Sequence, residues 1–381
     1  MAAPTHTAVG TWGGGRFMRF GEAVDDERLA ALLHPDGIAT VITADAYGAG
    51  EADSLLGRAL AGVPRDGYSL VGAVGHDFYA GERRGAGGYP RFTDPSLRDP
   101  DGYRDYLRMA VERSLERCGV DGFDLLLLHN PDRRGFELPE VWEALRELSD
   151  EGLAAQLGLA PGPANGFTLD VIACLERYGE LIDWAMLILS PMEPWPGELA
   201  LPACSRHRVR VITRVVDYGG LFWDDVLAGH PFPEGDHRGF RPEGWVEAGR
   251  AKLDRMRPLA EAHGLTPLQL ACQWNLAHEA VACVAPTLIQ EPGPEATPIE
   301  RKREELAAVP EDVVLSEEEV DRLREIGDNR GSMLLKGATP DHAGEERPDR
   351  WELSAEHAEL ARRYGISPER DLRRAGAPAA A

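Results

Sequence analysis

Ala39-Thr40-Val41-Ile42-Thr43-Ala44-Asp45-Ala46-Tyr47-Gly48 opens with a β-branched run, Ala39 to Thr43, of the kind that forms a short buried strand. Ala44 to Gly50 breaks the run, and from Glu51 onward the residues read as a helix. The unit is strand, polar loop, helix, with the loop at the strand's C-terminal end. In an eight-fold β/α barrel, catalytic side chains come from that end. Tyr47 therefore stands where a phenol can do chemistry, although a tyrosine beside a glycine is also an ordinary packed ring.

The same alternation extends in both directions. Ala8 to Gly13 reads as a first strand running into a glycine turn. Further apolar runs cover Tyr68–Val74, Phe123–His129, Ala155–Ala160, Asp183–Leu189, Val209–Thr213 and Ala280–Ala285. Helical spacing separates them, over Asp25–Leu33, Tyr103–Cys118, Leu138–Glu151, Thr168–Tyr178, Val246–His263 and from Thr266-Pro267 to Ala277. Two more helices read over Arg301–Ala308 and Ser316–Ile326. Strands that are unbroken apolar runs imply a parallel sheet covered on both faces. The fold class is α/β, a single (β/α)8 TIM barrel over residues 1–327. A doubly wound open sheet is the alternative, but no GxGxxG follows an early strand. Two long loops, His76 to Pro100 and Asp217 to Gly244, read as active-site walls. Residues 328–381 form a C-terminal extension over or beside the barrel. It has a helical stretch at Ser354–Tyr364 and an end expected to be disordered.

The chain has 381 residues and a formal charge of −23. Such an acid excess repels phosphates, so neither nucleic acid nor an anionic membrane is an expected partner, and a small-molecule substrate is. The five cysteines are scattered without a CxxC, which fits reduced thiols in a cytoplasmic protein and no structural metal. No secretion signal and no membrane-length apolar run is read. The oligomeric state is not legible. Lysine occurs only at 252, 302 and 336, so any role for a lysine is easily audited.

Taken in order, Gly10-Thr11-Trp12, Thr43-Ala44-Asp45-Ala46-Tyr47-Gly48, Asp124-Leu125-Leu126-Leu127-Leu128-His129, Thr213-Arg214-Val215 with Gly219-Gly220-Leu221, and Gln273-Trp274 resemble the aldo-keto reductase superfamily over residues 7 to 327. The resemblance implies NADP(H) and a tetrad of Asp, Tyr, Lys and His, in which Tyr donates the proton and His orients the carbonyl. Tyr47 and His129 match. The tetrad Asp falls on Ile42 and the tetrad Lys on Ala73. Of the implied cofactor contacts, Asn165, Ser190, Thr287, Arg301 and Glu305 hold the positions. Several differ in type, and the insertion before Arg301 adds Glu291, Glu295 and Glu300, acids that would repel a phosphate. The cofactor expectation is therefore none, or weakly bound NADP(H).

Without the tetrad Asp and Lys, Tyr47 keeps little of the usual perturbation of its pKa. His129 becomes the expected general acid or base. The remaining pocket candidates are Trp12, Asp45, His76, Asp77, Glu193, Trp195, Arg214 and Asp217, with Asn130 and Asp132 beside His129. Lys336, next to Met333, Leu334 and Leu335, is a candidate cation arriving from the C-terminal extension. No compact metal-ligand spacing exists. Three functions compete: redox-neutral acid/base chemistry on a hydroxy-carbonyl or sugar-like substrate (a lyase, dehydratase or isomerase), an NADP(H)-dependent carbonyl oxidoreductase, and a non-catalytic binding subunit. The sequence favours the first.

Overall fold

The computed structural model describes residues 3–83, 88–162, 167–241, 243–329 and 353–372. In chain order the elements are β1 (Ala8–Gly10), α1 (Asp26–Leu33), β2 (Thr40–Ile42), α2 (Glu51–Ala59), β3 (Ser69–Val74), α3 (Tyr103–Cys118), β4 (Leu125–His129), α4 (Arg133–Glu137), α5 (Pro139–Asp150) and β5 (Leu157–Ala160). There follow α6 (Phe167–Tyr178), β6 (Trp184–Ile188), α7 (Leu201–His207), β7 (Arg210–Arg214), α8 (Trp245–Ala262), α9 (Pro267–Leu276), β8 (Val281–Ala285), α10 (Ile299–Ala307), α11 (Glu317–Gly327), α12 (Ala355–Arg363) and α13 (Pro368–Asp371). All eight strands are parallel and pair in the order β1 to β8. Closure comes from a parallel bridge between Thr7 and Val284, with the Val284 amide donating to the His6 carbonyl at 2.9 Å. The fold is the (β/α)8 barrel expected from the strand–helix alternation.

Side chains alternate along a strand, so each strand sends every second residue inward. The inner cluster holds Ala8, Ile42, Val71, Ala73, Leu125, Leu127, Ala160, Trp184, Met186, Ile212, Cys283 and Ala285. The other face packs under the helices in a second, larger cluster that includes Val41, Leu70, Leu126, Leu128 and Val211. Local signals fix the helix starts. Asp25 caps α1 by accepting from the Arg28 amide, and Thr266 and Ser316 form capping boxes with Gln269 and Glu319. Three short helices, α4, α7 and α13, were not anticipated. Asp132 caps the first, and Pro202 stands in the first turn of the second.

Past α11 the chain returns to the barrel. The Leu360, Ala361, Ile366 and Leu372 side chains are buried in the main cluster, and α12 lies on α6. Arg363 and Tyr364 both reach Glu176, at 2.8 and 2.5 Å. Trp195 is held from two directions: its amide donates to Asn329 Oδ1 at 3.0 Å and its indole N–H to the Asp371 carbonyl. The C-terminal residues thus brace the loop after β6.

Trp274 is fully buried, and its indole N–H donates to the Val320 carbonyl at 3.0 Å, tying α9 to α11. Trp274→Ala should destabilise the protein by about 3–5 kcal/mol, through the cavity and the lost bond together. Trp274→Phe should cost less, because most of the ring volume remains. Urea unfolding of the two variants checks the order.

Candidate active site

Three polar side chains stand at the C-terminal mouth of the barrel. His129 ends β4 two residues beyond Leu127, and Arg214 ends β7 two residues beyond Ile212, so both inherit the inward face. Tyr47 comes from the loop after β2 and packs on the inner cluster beside Ile42, Ala44 and Ala73. Its ring meets that of His129 edge-on, with centroids 5.8 Å apart, and the His76 ring lies 5.2 Å from His129 on the other side. Tyr47, His129 and Arg214 are each half-buried, so they form a wall of the mouth rather than its floor.

The backbone turns sharply behind each of them. Tyr47 is followed by Gly48 and Ala49 at φ 59° and 52°, His129 by Asn130 at φ 47°, and Arg214 by Val215 at φ 61°. For Ala, Asn and above all β-branched Val, this left-handed region is unfavourable, at about 1–3 kcal/mol each, and such residues cluster at functional sites.

Charge at the mouth is set by burial. Desolvation, then the Arg91 and Arg214 guanidiniums, push the His129 pKa down to about 3, and its Nδ1 has no hydrogen-bond partner among the described residues. Burial first, then Arg91 and His129, also hold His76 well below its ordinary value. Both rings are neutral at pH 7. Desolvation raises the Tyr47 pKa, and the opposing influence is the Arg214 charge. The phenol keeps its proton. Arg214 donates through Nη2 to the Pro161 carbonyl at 2.9 Å and forms no ion pair among the described residues.

Arg91, which the sequence reading missed, belongs to the first long loop. Its guanidinium contacts His76 Nδ1 at 3.0 Å and the Asn130 carbonyl, while Asn130 Nδ2 contacts His76 Nε2 at 3.2 Å. The loop crosses back as a strand-like pairing of His76 with Arg91. The signal available was the richness of residues 76–100 in Arg and Tyr, but nothing local said which arginine would turn inward.

Most other expected pocket residues serve the scaffold. Asp45 is completely buried, and neither carboxyl oxygen has a hydrogen-bond partner among the described residues. Burial, reinforced by the charge of Asp53, raises its pKa well above the usual range, so it is a neutral acid sealed under the mouth. Asp77 is bound by Arg98 and by the amides of Tyr79 and Ala80. Asp217 accepts from the amides of Gly220 and Thr287, at 2.9 and 2.8 Å. Glu193 pairs with Arg241 at 3.4 Å. Trp195 is clasped by the C-terminal residues, and Trp12 packs in the inner cluster. Lys336 and Asn165 lie outside the described residues. The other lysines are engaged elsewhere: Lys252 with the Gly327 and Asp328 carbonyls, Lys302 with Asp225 and the Ile289 carbonyl. No group of three or more potential metal ligands occurs among the described residues.

The cofactor positions divide. Ser190 donates to the Val216 carbonyl at 3.2 Å, and Glu305 is turned inward onto the Thr266 hydroxyl. Thr287 lends its backbone to Asp217 and Trp223. Arg301 is open, 73% exposed, with only Glu304 at 3.7 Å. The expectation of repelling acids is corrected for two of the three. Glu291 is buried and neutralised by Arg238 at 2.5 Å and His230 at 2.8 Å, and Glu300 pairs with Arg28 at 2.8 Å. Arg301 is thus an exposed guanidinium with a loose Glu304 contact, and two of the three acids before it are already paired.

Comparison with known proteins agrees with the barrel fold. The sequence description of the aldo/keto reductase family matches residues 8–328. The chain is 29% identical over 215 residues to a D-threo-aldose 1-dehydrogenase of a Pseudomonas species, covering 52% of this chain and 61% of that protein. It is 24% identical to the NADP(+) aldo-keto reductase yakc of Schizosaccharomyces pombe, covering 72% and 77%. Among solved structures, the holo form of an aldo-keto reductase of Bacillus halodurans superposes with a TM-score of 0.59 at 25% identity, over 85% of this chain and 92% of that one. The protein belongs to the aldo/keto reductase family.

The depressed pKa of His129 has a sign. Between about pH 6.5 and 3 the unfolded chain binds a proton that the folded His129 refuses, so its contribution to stability is present above that window and is lost as pH falls through it. Denaturation midpoints of wild type and His129→Asn, measured from pH 7 to 4, should converge as the pH drops. NMR of the imidazole nitrogens should show His129 neutral throughout the upper part of that range.

Proposed function

We propose that this member of the aldo/keto reductase family is an NADP(H)-dependent oxidoreductase that interconverts a small carbonyl compound and its alcohol. The observation that carries the reading is the protonation state of the mouth. A carbonyl that accepts a hydride gains negative charge on oxygen, and the group beside it must give a proton. Tyr47 holds that proton at every physiological pH, because burial raises its pKa, and the Arg214 charge works against that rise in favour of releasing it. His129, neutral and with its Nδ1 turned into the protein, presents its other nitrogen to orient the carbonyl. A reduced nicotinamide, when bound, supplies the hydride. The Tyr47 proton passes to the substrate oxygen, and the phenolate recovers one from solvent.

The redox-neutral alternative relied on His129 as a general acid or base. A catalytic pKa works best near the operating pH, and about 3 is far below it. His129 is then neither a proton donor nor an effective base at pH 7, and that reading loses its main support. The relatives named above are also reductases and a dehydrogenase, not lyases. Weak cofactor binding, expected from the acidic insertion, loses part of its basis for the reason already given: Glu291 and Glu300 are paired. Arg301 is the residue we assign to the cofactor's phosphate.

NADPH fluorescence titration tests the first half of this reading, and should give saturable binding that weakens in Arg301→Glu. Steady-state assays on simple aldehydes and aldoses test the second half. Tyr47→Phe should lower kcat by roughly 10²–10⁴, the usual span for a positioned proton donor, and His129→Ala should fall in a similar range. No binding of either nicotinamide cofactor, with no turnover across the panel, overturns the proposal.

A further inference from the structure

We infer that Arg214 is the counter-charge of the Tyr47 oxygen: its guanidinium, fixed at the inner end of β7, offsets the negative charge that the phenol acquires when it gives up its proton. The inference rests on the reading of Tyr47 as the proton donor. It assigns to β7 a task that the lysine missing from β3 cannot perform.

Three independent observations support it. The first is position. At the top of the inward face, β2 and β3 offer only Ala44 and Ala73, and β5 ends in Ala160. The strands that offer polar groups at this level are β4, with a neutral His129, and β7, with a permanent cation. The second is the missing partner. A half-buried guanidinium without a counter-ion is costly, and Arg303, the comparable case, spends its donors on two backbone carbonyls, those of Leu32 and His34. Arg238 is fully paired with Asp236 and Glu291, Arg98 with Asp77 and Arg65 with Asp124. Arg214 has a single described contact, the Pro161 carbonyl, which holds its reach across β6 and leaves its other donors open to the mouth. The third is the backbone. Val215, immediately after it, is a β-branched residue at φ 61°, a conformation the surrounding structure must enforce, and the same left-handed turn follows Tyr47 and His129.

The other charges facing this pair are few. Glu193 bears on Arg214 from the loop after β6 but is itself paired with Arg241, and Arg91 contacts His76 and acts on His129 rather than on Tyr47. Lys252 and Lys302 are committed to other partners. Among the described residues Arg214 is thus the cation whose field reaches the phenol, and it lowers the Tyr47 pKa against the rise caused by burial. An arginine cannot lose its proton near neutral pH, so it acts only through charge and is a positioning residue, not a proton relay.

The test needs neither substrate nor cofactor. Protein labelled with ¹³C at tyrosine Cζ, with the signal assigned through Tyr47→Phe, gives the phenol's titration directly. Arg214→Gln should move the Tyr47 midpoint to higher pH by at least about one unit, the lower end of the effect of an opposite charge close by. Arg214→Lys should keep it near the wild-type value. Arg214→Met supplies the same comparison as Gln should Gln not fold. In turnover, Arg214→Gln should lower kcat by roughly 10-fold or more, as loss of a charge-stabilising donor does, with KM little changed and the alkaline limb of the kcat profile shifted upward. Arg214→Lys should recover part of the loss. An unmoved Tyr47 midpoint in a folded neutral variant overturns the inference. So does a raised KM with kcat and the alkaline limb unchanged, which would make Arg214 a substrate anchor. A shifted midpoint in a protein that reduces no carbonyl would leave Arg214 in its role and reject the proposed function instead.

Discussion

The two-residue period of a parallel strand, closed eight times into a barrel, is the constraint on which the site depends. Once β1 and β8 meet through Thr7 and Val284, every strand has one face toward the axis, and only its last inward residue reaches the mouth. The chain fills that last layer mainly with hydrocarbon: Ala44, Ala73, Ala160 and Ala285, with Trp12 beside them. Against such walls a single polar group is poorly screened. A guanidinium or an imidazole placed there acts over a longer distance than it would at the surface.

The chemistry of the mouth follows from that low polarity. Desolvation disfavours the charged form of each group, which leaves Tyr47 and Asp45 protonated and His76 and His129 unprotonated. Arg214 resists the same pressure, because even a lowered guanidinium pKa stays far above neutrality. The result is a set of neutral hydrogen-bonding groups between two fixed positive charges, Arg214 near Tyr47 and Arg91 near His76. Such a set stabilises an oxygen that becomes negative, and it does little for a reaction that needs a base poised near pH 7.

The strand–helix alternation, the position of Tyr47 after β2 and that of His129 at the end of β4 were all legible in the sequence. Helices with strong boundary signals, such as Tyr103–Cys118 ending at Gly119 in the left-handed conformation, were placed to the residue. The role of Arg214 was not legible, for a physical reason. In a strand buried on both faces the pattern Arg210-Val-Ile-Thr-Arg214 carries no alternation to say which residues point inward, and the run read as ending at Thr213. The state of His129 was equally hidden. Its low pKa comes from burial and from Arg91, 38 residues earlier in a loop whose path no local pattern fixes. The acids of the insertion looked repulsive because their partners lie far away in sequence: Glu291 meets Arg238 across 53 residues, and Glu300 meets Arg28 across 272.

Those long-range pairs share a location. Asp77 with Arg98 ties the first long loop to itself just past β3. Asp236, Arg238, Glu291 and His230 tie the second long loop to the segment after β8, and Glu193 with Arg241 ties it to the segment after β6. Asp236 also accepts from the Gly21 amide, so the clasp reaches the loop after β1. Buried ion pairs are a weak source of net stability, because desolvation consumes most of their attraction, but a mispaired or exposed arrangement of the same groups is far worse. They therefore select one loop conformation sharply even where they add little to folding. The loops that wall the mouth also carry apolar anchors: Phe92 in the first, and Leu221, Phe222, Trp223 and Val226 in the second, are buried in the main cluster. Paired charges add to the discrimination that this packing supplies. With the walls held by charges that are already satisfied, Arg214 is left without an ion pair among the described residues, in the layer where the reacting oxygen would sit.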